Sequence, residues 1–249
     1  MITENKNSIL EVKGLSKSFD GVHAVAGMSC SIEKGTITSI IGPNGSGKTT
    51  LTNCVTGMMP FDGGVLCASG VELARIVPHD VPTYGIARTF QNIRLFEQMI
   101  VRDNLLVVLT ERAPLAALFE RHSPLHEEQA EELLRHVGLW EKRDVLASRL
   151  SYGQRKLLEI ARALAMRPLI IFFDEPFAGL FPEMVKTVVG IMKEFREQGG
   201  TIILIEHAMD LIRELSDHVI VMDAGTVLAE GAPAEVLSRT DVMEAYLGG

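Results

Sequence analysis

Residues 42–50 read Gly42, Pro43, Asn44, Gly45, Ser46, Gly47, Lys48, Thr49 and Thr50, which fits the pattern G-x-x-x-x-G-K-[ST]. The glycines let backbone N–H groups curl around phosphate oxygens with no Cβ in the way. Lys48 brings a cation to the same oxygens, and the Thr49 hydroxyl is a ligand of the kind Mg²⁺ takes. A second group lies far along the chain, where the apolar run 170–173 ends in Asp174 and Glu175. One carboxylate beside a metal can hold its shell. The other can take a proton from an attacking water, a role worth about 10²–10⁴-fold in rate. Asp174 is given the first part and Glu175 the second. The third group is Leu150, Ser151, Tyr152, Gly153 and Gln154, in which Ser151 suits a helix N-cap and Gly153 leaves the first turn bare. Such a helix start is another place for an anion, surplus in a chain that already holds a phosphate loop. By itself that loop says only that the ligand is a nucleoside triphosphate, which leaves kinases and GTPases open.

The loop needs a buried strand before it and a helix after it. Residues 36–41 are β-branched and apolar on both faces, as a central strand of a parallel sheet reads, and a helix begins near Gly47. Apolar residues alternate over 9–19 and 22–32, with Asp20-Gly21 and Lys34-Gly35 as turns. A short strand is expected around 65–68. From about 93 to 168 strand signals stop and amphipathic helices are expected, at 127–137 and 151–167. Then come a strand at 169–173, a helix at 182–198, a strand at 201–205, a helix at 208–216, a strand at 218–222 and a hairpin ending at Glu230. This order predicts an α/β fold with a mostly parallel central sheet, N-terminal antiparallel strands and an inserted helical subdomain. Residues 1–92 and 168–249 would form the core and 93–167 the insertion, within one domain spanning 1–249. Ligands of open α/β sheets gather at the carboxyl ends of the strands, so Asp174 and Glu175 should face the phosphates.

Composition removes several classes of function. Lysine and arginine total 24 against 32 acidic residues, a net charge of −8, which makes the chain a poor candidate for binding nucleic acid through a broad basic face. With 47% apolar and 22% charged residues the chain can bury a sizeable core, unlike disordered or disulfide-stapled chains. Its apolar runs are strand-length, far short of the roughly 20 residues of a spanning helix, and residues 1–10 carry no signal-peptide core. Cys30, Cys54 and Cys67 are odd in number and lack C-x-x-C spacing, so reduced thiols in a cytoplasmic protein are expected.

Taken together, the phosphate loop, Gln91, residues 150–154, Asp174 with Glu175, and His207 resemble the ATP-binding-cassette (ABC) ATPases in order and interval. The resemblance runs over residues 9–247 and implies the P-loop NTPase fold with ATP and Mg²⁺ as cofactors. It also implies a head-to-tail dimer, with the same chain or a second cassette chain, that sandwiches two ATP molecules. Ser151, Gly153 and Gln154 would then reach the nucleotide held by the other subunit's loop, which gives the surplus anion site a use. By the same resemblance Gln91 joins Mg²⁺ and the attacking water to the transporter contact, and His207 touches the γ-phosphate. The metal ligands are then Thr49, Gln91 and Asp174, and the ring of Phe19 stacks on adenine. Two membrane-spanning permease subunits and, through them, a periplasmic or extracellular solute-binding protein are implied partners, which places the chain at the inner face of the membrane.

Residues 88–96, residues 206–210, the Tyr-Gly-Gln form of 152–154 and the ending Glu244-Ala245-Tyr246-Leu247 look most like ATPase subunits of branched-chain amino-acid importers. Urea and short-amide importers and lipopolysaccharide-extracting cassettes share much of that pattern. Phe181 departs from it, because the family usually carries Asp or Asn there for a polar contact across the dimer. A non-transport cassette would add a coiled coil or a second cassette, and a kinase or GTPase an Asn-Lys-x-Asp motif or an arginine-rich lid; the sequence has none of these. A module that holds ATP without hydrolysing it would not need Glu175. Leu95, Phe96, Met99 and Ile100 suit the docking of a short permease helix, or else the core of the helical insertion.

Overall fold

The alternation near the N-terminus becomes a long hairpin, β1 (Ser8–Phe19) and β2 (Val22–Glu33), turned by Asp20 and Gly21 at φ 46° and 87°. Two consecutive positive φ values form the turn whose twist matches that of paired strands. β3 (Ile37–Ile41) is buried at every residue and feeds α1 (Lys48–Val55) through the glycine-rich loop. β4 (Gly63–Ala68) and β5 (Val71–Leu73) complete an antiparallel sheet of order β2-β1-β4-β5. The second sheet is built from β3, β6 (Ile86–Arg88), β7 (Ile170–Asp174), β8 (Thr201–Ile205), β9 (His218–Asp223) and β10 (Thr226–Gly231). Its order is β10-β9-β3-β8-β7-β6, and only the β9–β10 pair is antiparallel. The helices are α2 (Val101–Leu109), α3 (Pro124–His136), α4 (Tyr152–Ala165), α5 (Pro182–Glu197), α6 (Met209–Leu215), α7 (Pro233–Val236) and α8 (Thr240–Leu247).

The structure is a computed structural model that describes residues 7–110 and 124–247. Residues 111–123, part of the stretch read as helical, lie outside the described residues. Both faces of the second sheet are covered, as a parallel sheet requires. Ile40, Phe172, Ile203 and Ile220 pack with Leu10, Leu15 and Met28 of the antiparallel sheet and with Leu51 of α1. On the other face Ile41, Val219 and Val221 meet Ile212 of α6 and Val236, Val242 and Tyr246 of the C-terminal helices.

The expected class, a mostly parallel sheet with N-terminal antiparallel strands and a helical insertion, is the class observed. Two strands were not legible in the sequence. β5 and β6 have three residues each, too few for an alternation to show. The chain divides into one unit of Met1–Arg88, Leu169–Glu175 and Lys193–Gly249 and a second of Thr89–Pro168 and Pro176–Met192. Residues 176–192, read from sequence as core, thus group with the helical insertion. The reason lies at Gly153, where a Cβ would come within 2.2 Å of Met184 Sδ and 3.3 Å of Leu180 Cδ2. The bare backbone of α4 is what lets those two side chains pack.

Candidate functional site

The loop between β3 and α1 is shaped by what its glycines lack. A Cβ on Gly42 would lie 2.1 Å from the Met222 carbonyl oxygen, and one on Gly47 would lie 2.2 Å from that of Ala24. Both obstacles are backbone, so neither can swing aside. Gly47 caps α1 at φ 101° with no side-chain hydrogen bond to the first turn, and so leaves the helix's leading N–H groups for an anion. Lys48 is only 7% exposed, and its Nζ donates to the carbonyls of Gly42 (2.7 Å) and Pro43 (2.9 Å). Burial lowers its ammonium below the usual lysine range, while the charges of Glu175 and then Asp174 oppose that shift. Ser46 is buried, while Asn44, Gly45 and Thr49 are exposed and Pro43 and Thr50 half-buried.

The adjacent acids have different surroundings. Asp174 ends β7 at 6% exposure, and Arg88 Nη2 donates to its Oδ2 at 2.7 Å. Glu175 has left the strand: its φ is 47°, and its N–H donates to the Ile205 carbonyl at 2.9 Å. A non-glycine residue in the left-handed region is uncommon outside turns and costly, and such strain clusters at active sites. Glu175 Oε1 lies 3.4 Å from Nε2 of His207, whose side chain is half-exposed just beyond β8. Phe19 ends β1 with its ring 42% exposed, which removes it from the core and leaves a face for stacking. Lys17 Nζ stands 5.5 Å from that ring's centroid.

Arg88 was missed as a site residue, although it begins the 88–96 stretch singled out in the sequence. Its Nη1 donates to Asn53 Oδ1 at 2.7 Å and to Thr56 Oγ1 at 3.1 Å, so one guanidinium ties Asp174 to the helix that carries Lys48 and Thr49. Nothing in the spacing links it to a carboxylate 86 residues away.

Gln91, Ser151, Gly153 and Gln154 belong to the helical unit. Ser151 caps α4, its Oγ accepting from the Gln154 N–H at 3.3 Å, and Gln154 Oε1 accepts from the Ser151 N–H at 3.1 Å. Lys142 Nζ donates to the same Oε1 at 3.0 Å. Gln154 therefore holds the helix start in shape, while the Ser151 hydroxyl, accepting in this cap, keeps a proton to donate. Gln91 is exposed. Phe181 is 77% exposed, so its ring is not tucked against Pro176 or Pro182. Among the described residues no helix is long and apolar enough to cross a membrane.

Residues 25–178 match the ABC transporter family, and residues 226–249 match the family described as branched-chain amino acid ATP-binding cassette transporter. The chain is 40% identical to the high-affinity branched-chain amino acid transport ATP-binding protein BraF of Pseudomonas aeruginosa, over 96% of this chain and 98% of that one. It is 37% identical to the corresponding LivG protein of Escherichia coli with the same coverage of each chain. A crystal structure of a nucleotide-free ATP-binding cassette from an ABC transporter superposes with a TM-score of 0.86 at 36% identity, over 97% of this chain and 100% of that one. The ADP conformation of an ABC transporter cassette gives 0.85 at 36% identity, over 97% and 99%. A phosphate loop that only glycine can follow, acids aimed from the end of β7 and this likeness along the whole chain agree: the protein belongs to the ABC transporter family, as one of its ATP-hydrolysing cassettes.

Proposed function

We propose that this cassette is the ATPase subunit of an importer of branched-chain amino acids. It would work at the inner face of the membrane as a dimer, with two permease subunits and a periplasmic or extracellular solute-binding protein. The observation that carries the solute class is the match of residues 226–249 to the branched-chain family. In this chain that segment is β10, α7 and α8, and its Tyr246 packs with Ile41, the residue before the phosphate loop. The test is uptake in a strain lacking this gene. Wild-type protein should restore uptake of labelled leucine, and Glu175→Gln should not. Restored urea uptake without leucine uptake would overturn the solute assignment.

In this reading the loop N–H groups and Lys48 bind the β- and γ-phosphates, and Phe19 stacks on the base. Thr49, Asp174 and Gln91 offer hard oxygen donors, which suit an ion that takes one or two carboxylates and completes its shell with phosphate and water. Bound there, Mg²⁺ would neutralise charge on the phosphates. Glu175 takes the proton of the attacking water and His207 steadies the γ-phosphate. Ser151 and Gly153 of one subunit close on the nucleotide of the other.

Phe96 is proposed to meet the permease. Its ring is 46% exposed while its backbone is fixed, with the N–H donating to Asn104 Oδ1 at 3.0 Å and the carbonyl accepting from Asn104 Nδ2 at 3.1 Å. Ile93, Leu95, Met99 and Ile100 are only half-buried, so this segment does not fill the core. Phe96→Asp should abolish coupled transport while basal ATPase activity stays within about twofold, since a single exposed rim substitution usually costs under about 0.5 kcal/mol. Parallel uptake and hydrolysis assays decide it, and a variant that unfolds would return Phe96 to a packing role.

Phe181 offers an apolar surface of about 150–200 Å² where the family places a polar side chain. Contact through that ring is less directional than a hydrogen bond, so the two nucleotide sites should be loosely coupled. Phe181→Asn should raise the maximal ATPase rate or its cooperativity with little change in ATP affinity. Superimposable curves of rate against ATP concentration would remove Phe181 from the dimer contact.

A further inference from the structure

The line of residues Ser151, Arg155, Glu159 and Arg162 advances in steps of four, four and three, which keeps it on one face of α4. That face grips the segment following Gln91. Arg155 Nη1 donates to Glu97 Oε1 at 3.3 Å. Glu159 Oε1 accepts from the Arg94 N–H at 3.1 Å, and Arg162 Nη1 donates to the Arg94 carbonyl at 2.5 Å, so both backbone polar groups of Arg94 are taken by side chains one turn apart. The Arg162 guanidinium also lies 4.9 Å from the centroid of the Phe96 ring. Just before α4, the N–H groups of Ala147 and Ser148 donate to the carbonyls of Met99 (2.9 Å) and Glu97 (3.2 Å).

Glu159 is poorly explained by packing. It is 4% exposed, and its Oε2 is buried with no hydrogen-bond partner. A half-satisfied buried carboxylate costs stability that an apolar side chain of similar size would not. Burial pushes its carboxyl up to about 7, against the pull of the Arg94 and Phe90 amides and the charges of Lys156 and Arg162.

We propose that Glu159 and Arg162 are positioning residues that fasten the Gln91 segment, through its backbone, to the helix that opens with Ser151, so that Gln91 and Ser151 are presented as one rigid piece. This rests on the roles given above to those two residues. A grip on backbone atoms tolerates a change of side chain at Arg94 but not a loss of Glu159. It also gives the buried carboxylate a use.

The test combines kinetics with amide hydrogen exchange. Glu159→Leu and Arg162→Met should each lower kcat about ten- to hundredfold at nearly constant KM, the effect of misplacing a group near the reacting atoms. Glu159→Gln keeps Oε1 as an acceptor and should restore kcat to within a few-fold. In the Gln91→Ala background Glu159→Leu should cost almost nothing more, because residues that act through one another are not additive. Exchange over residues 90–97 should quicken in Glu159→Leu and Arg162→Met while that of β3 and β8 stays unchanged. Equal losses with and without Gln91, a glutamine variant as poor as the leucine one, or unaltered exchange at 90–97 would each overturn the proposal. Full activity of Gln91→Ala alone would instead refute the role given to Gln91, and exchange would still decide whether the grip exists. Should Glu159→Leu fail to fold, Arg162→Met and Glu159→Gln carry the same comparisons.

Discussion

Glu175→Gln is expected to hydrolyse ATP about 10²–10⁴-fold more slowly than the wild type while still binding Mg-ATP. The amide keeps the size of the side chain and one acceptor oxygen, but loses the negative charge and the basic second oxygen. The surroundings should hold it in place, because the aim of residue 175 is set by its backbone, at φ 47° with its N–H on the Ile205 carbonyl at 2.9 Å. With closure permitted and chemistry blocked, a Mg-ATP-dependent dimer should accumulate and elute early in size-exclusion chromatography. A variant that hydrolyses normally would remove Glu175 from the role of base. His207, 3.4 Å from Glu175 Oε1, supplies a control. His207→Ala should also slow hydrolysis, and both variants should retain nucleotide affinity.

Lys48→Ala should weaken ATP binding tenfold or more and abolish turnover. Hydrogen bonds to charged groups are worth about 1.5–3 kcal/mol each, and a lysine on phosphate oxygens makes more than one. Its bonds to the Gly42 and Pro43 carbonyls add a second consequence. Alanine removes the donor that ties the start of the loop to the start of α1, so the variant should also unfold at a lower temperature without nucleotide. Lys48→Arg separates the two effects: it keeps the charge, but a planar fork on a longer stem should not fit a site only 7% exposed. Nucleotide titration by calorimetry and steady-state hydrolysis read the first effect, thermal unfolding the second. Undiminished hydrolysis in Lys48→Ala would refute the assignment of the phosphate loop.

Much of this architecture was legible because it is written in local patterns. A strand apolar on both faces before G-x-x-x-x-G-K-T predicts a parallel sheet with a phosphate loop, and β3 is buried at every residue. Asp20-Gly21 predicts a hairpin turn, and both residues have positive φ. Ser151 predicts a capped helix, and in the structure its Oγ accepts from the Gln154 N–H. Each of these signals joins residues a few positions apart, where covalent geometry limits what the chain can do.

What the sequence by itself determined, then, is the class of fold, the phosphate loop and the residue types on offer at the site. Tertiary structure decided which of them meet. Arg88 and Asp174 are brought together because β6 and β7 are parallel neighbours, and the three residues of β6 were too few to announce a strand. The turn of Glu175 out of β7 into the left-handed region depends on β8, whose Ile205 carbonyl receives its N–H. The grouping of residues 176–192 with the helical unit depends on the bare backbone at Gly153, against which Met184 and Leu180 pack. The grip of Glu159 and Arg162 on Arg94 joins side chains to a peptide more than 60 residues away, 65 in the case of Glu159. Contacts of that span leave no periodicity to read: they arise only when burial of apolar surface has packed the elements, and the polar groups carried inside must then find partners.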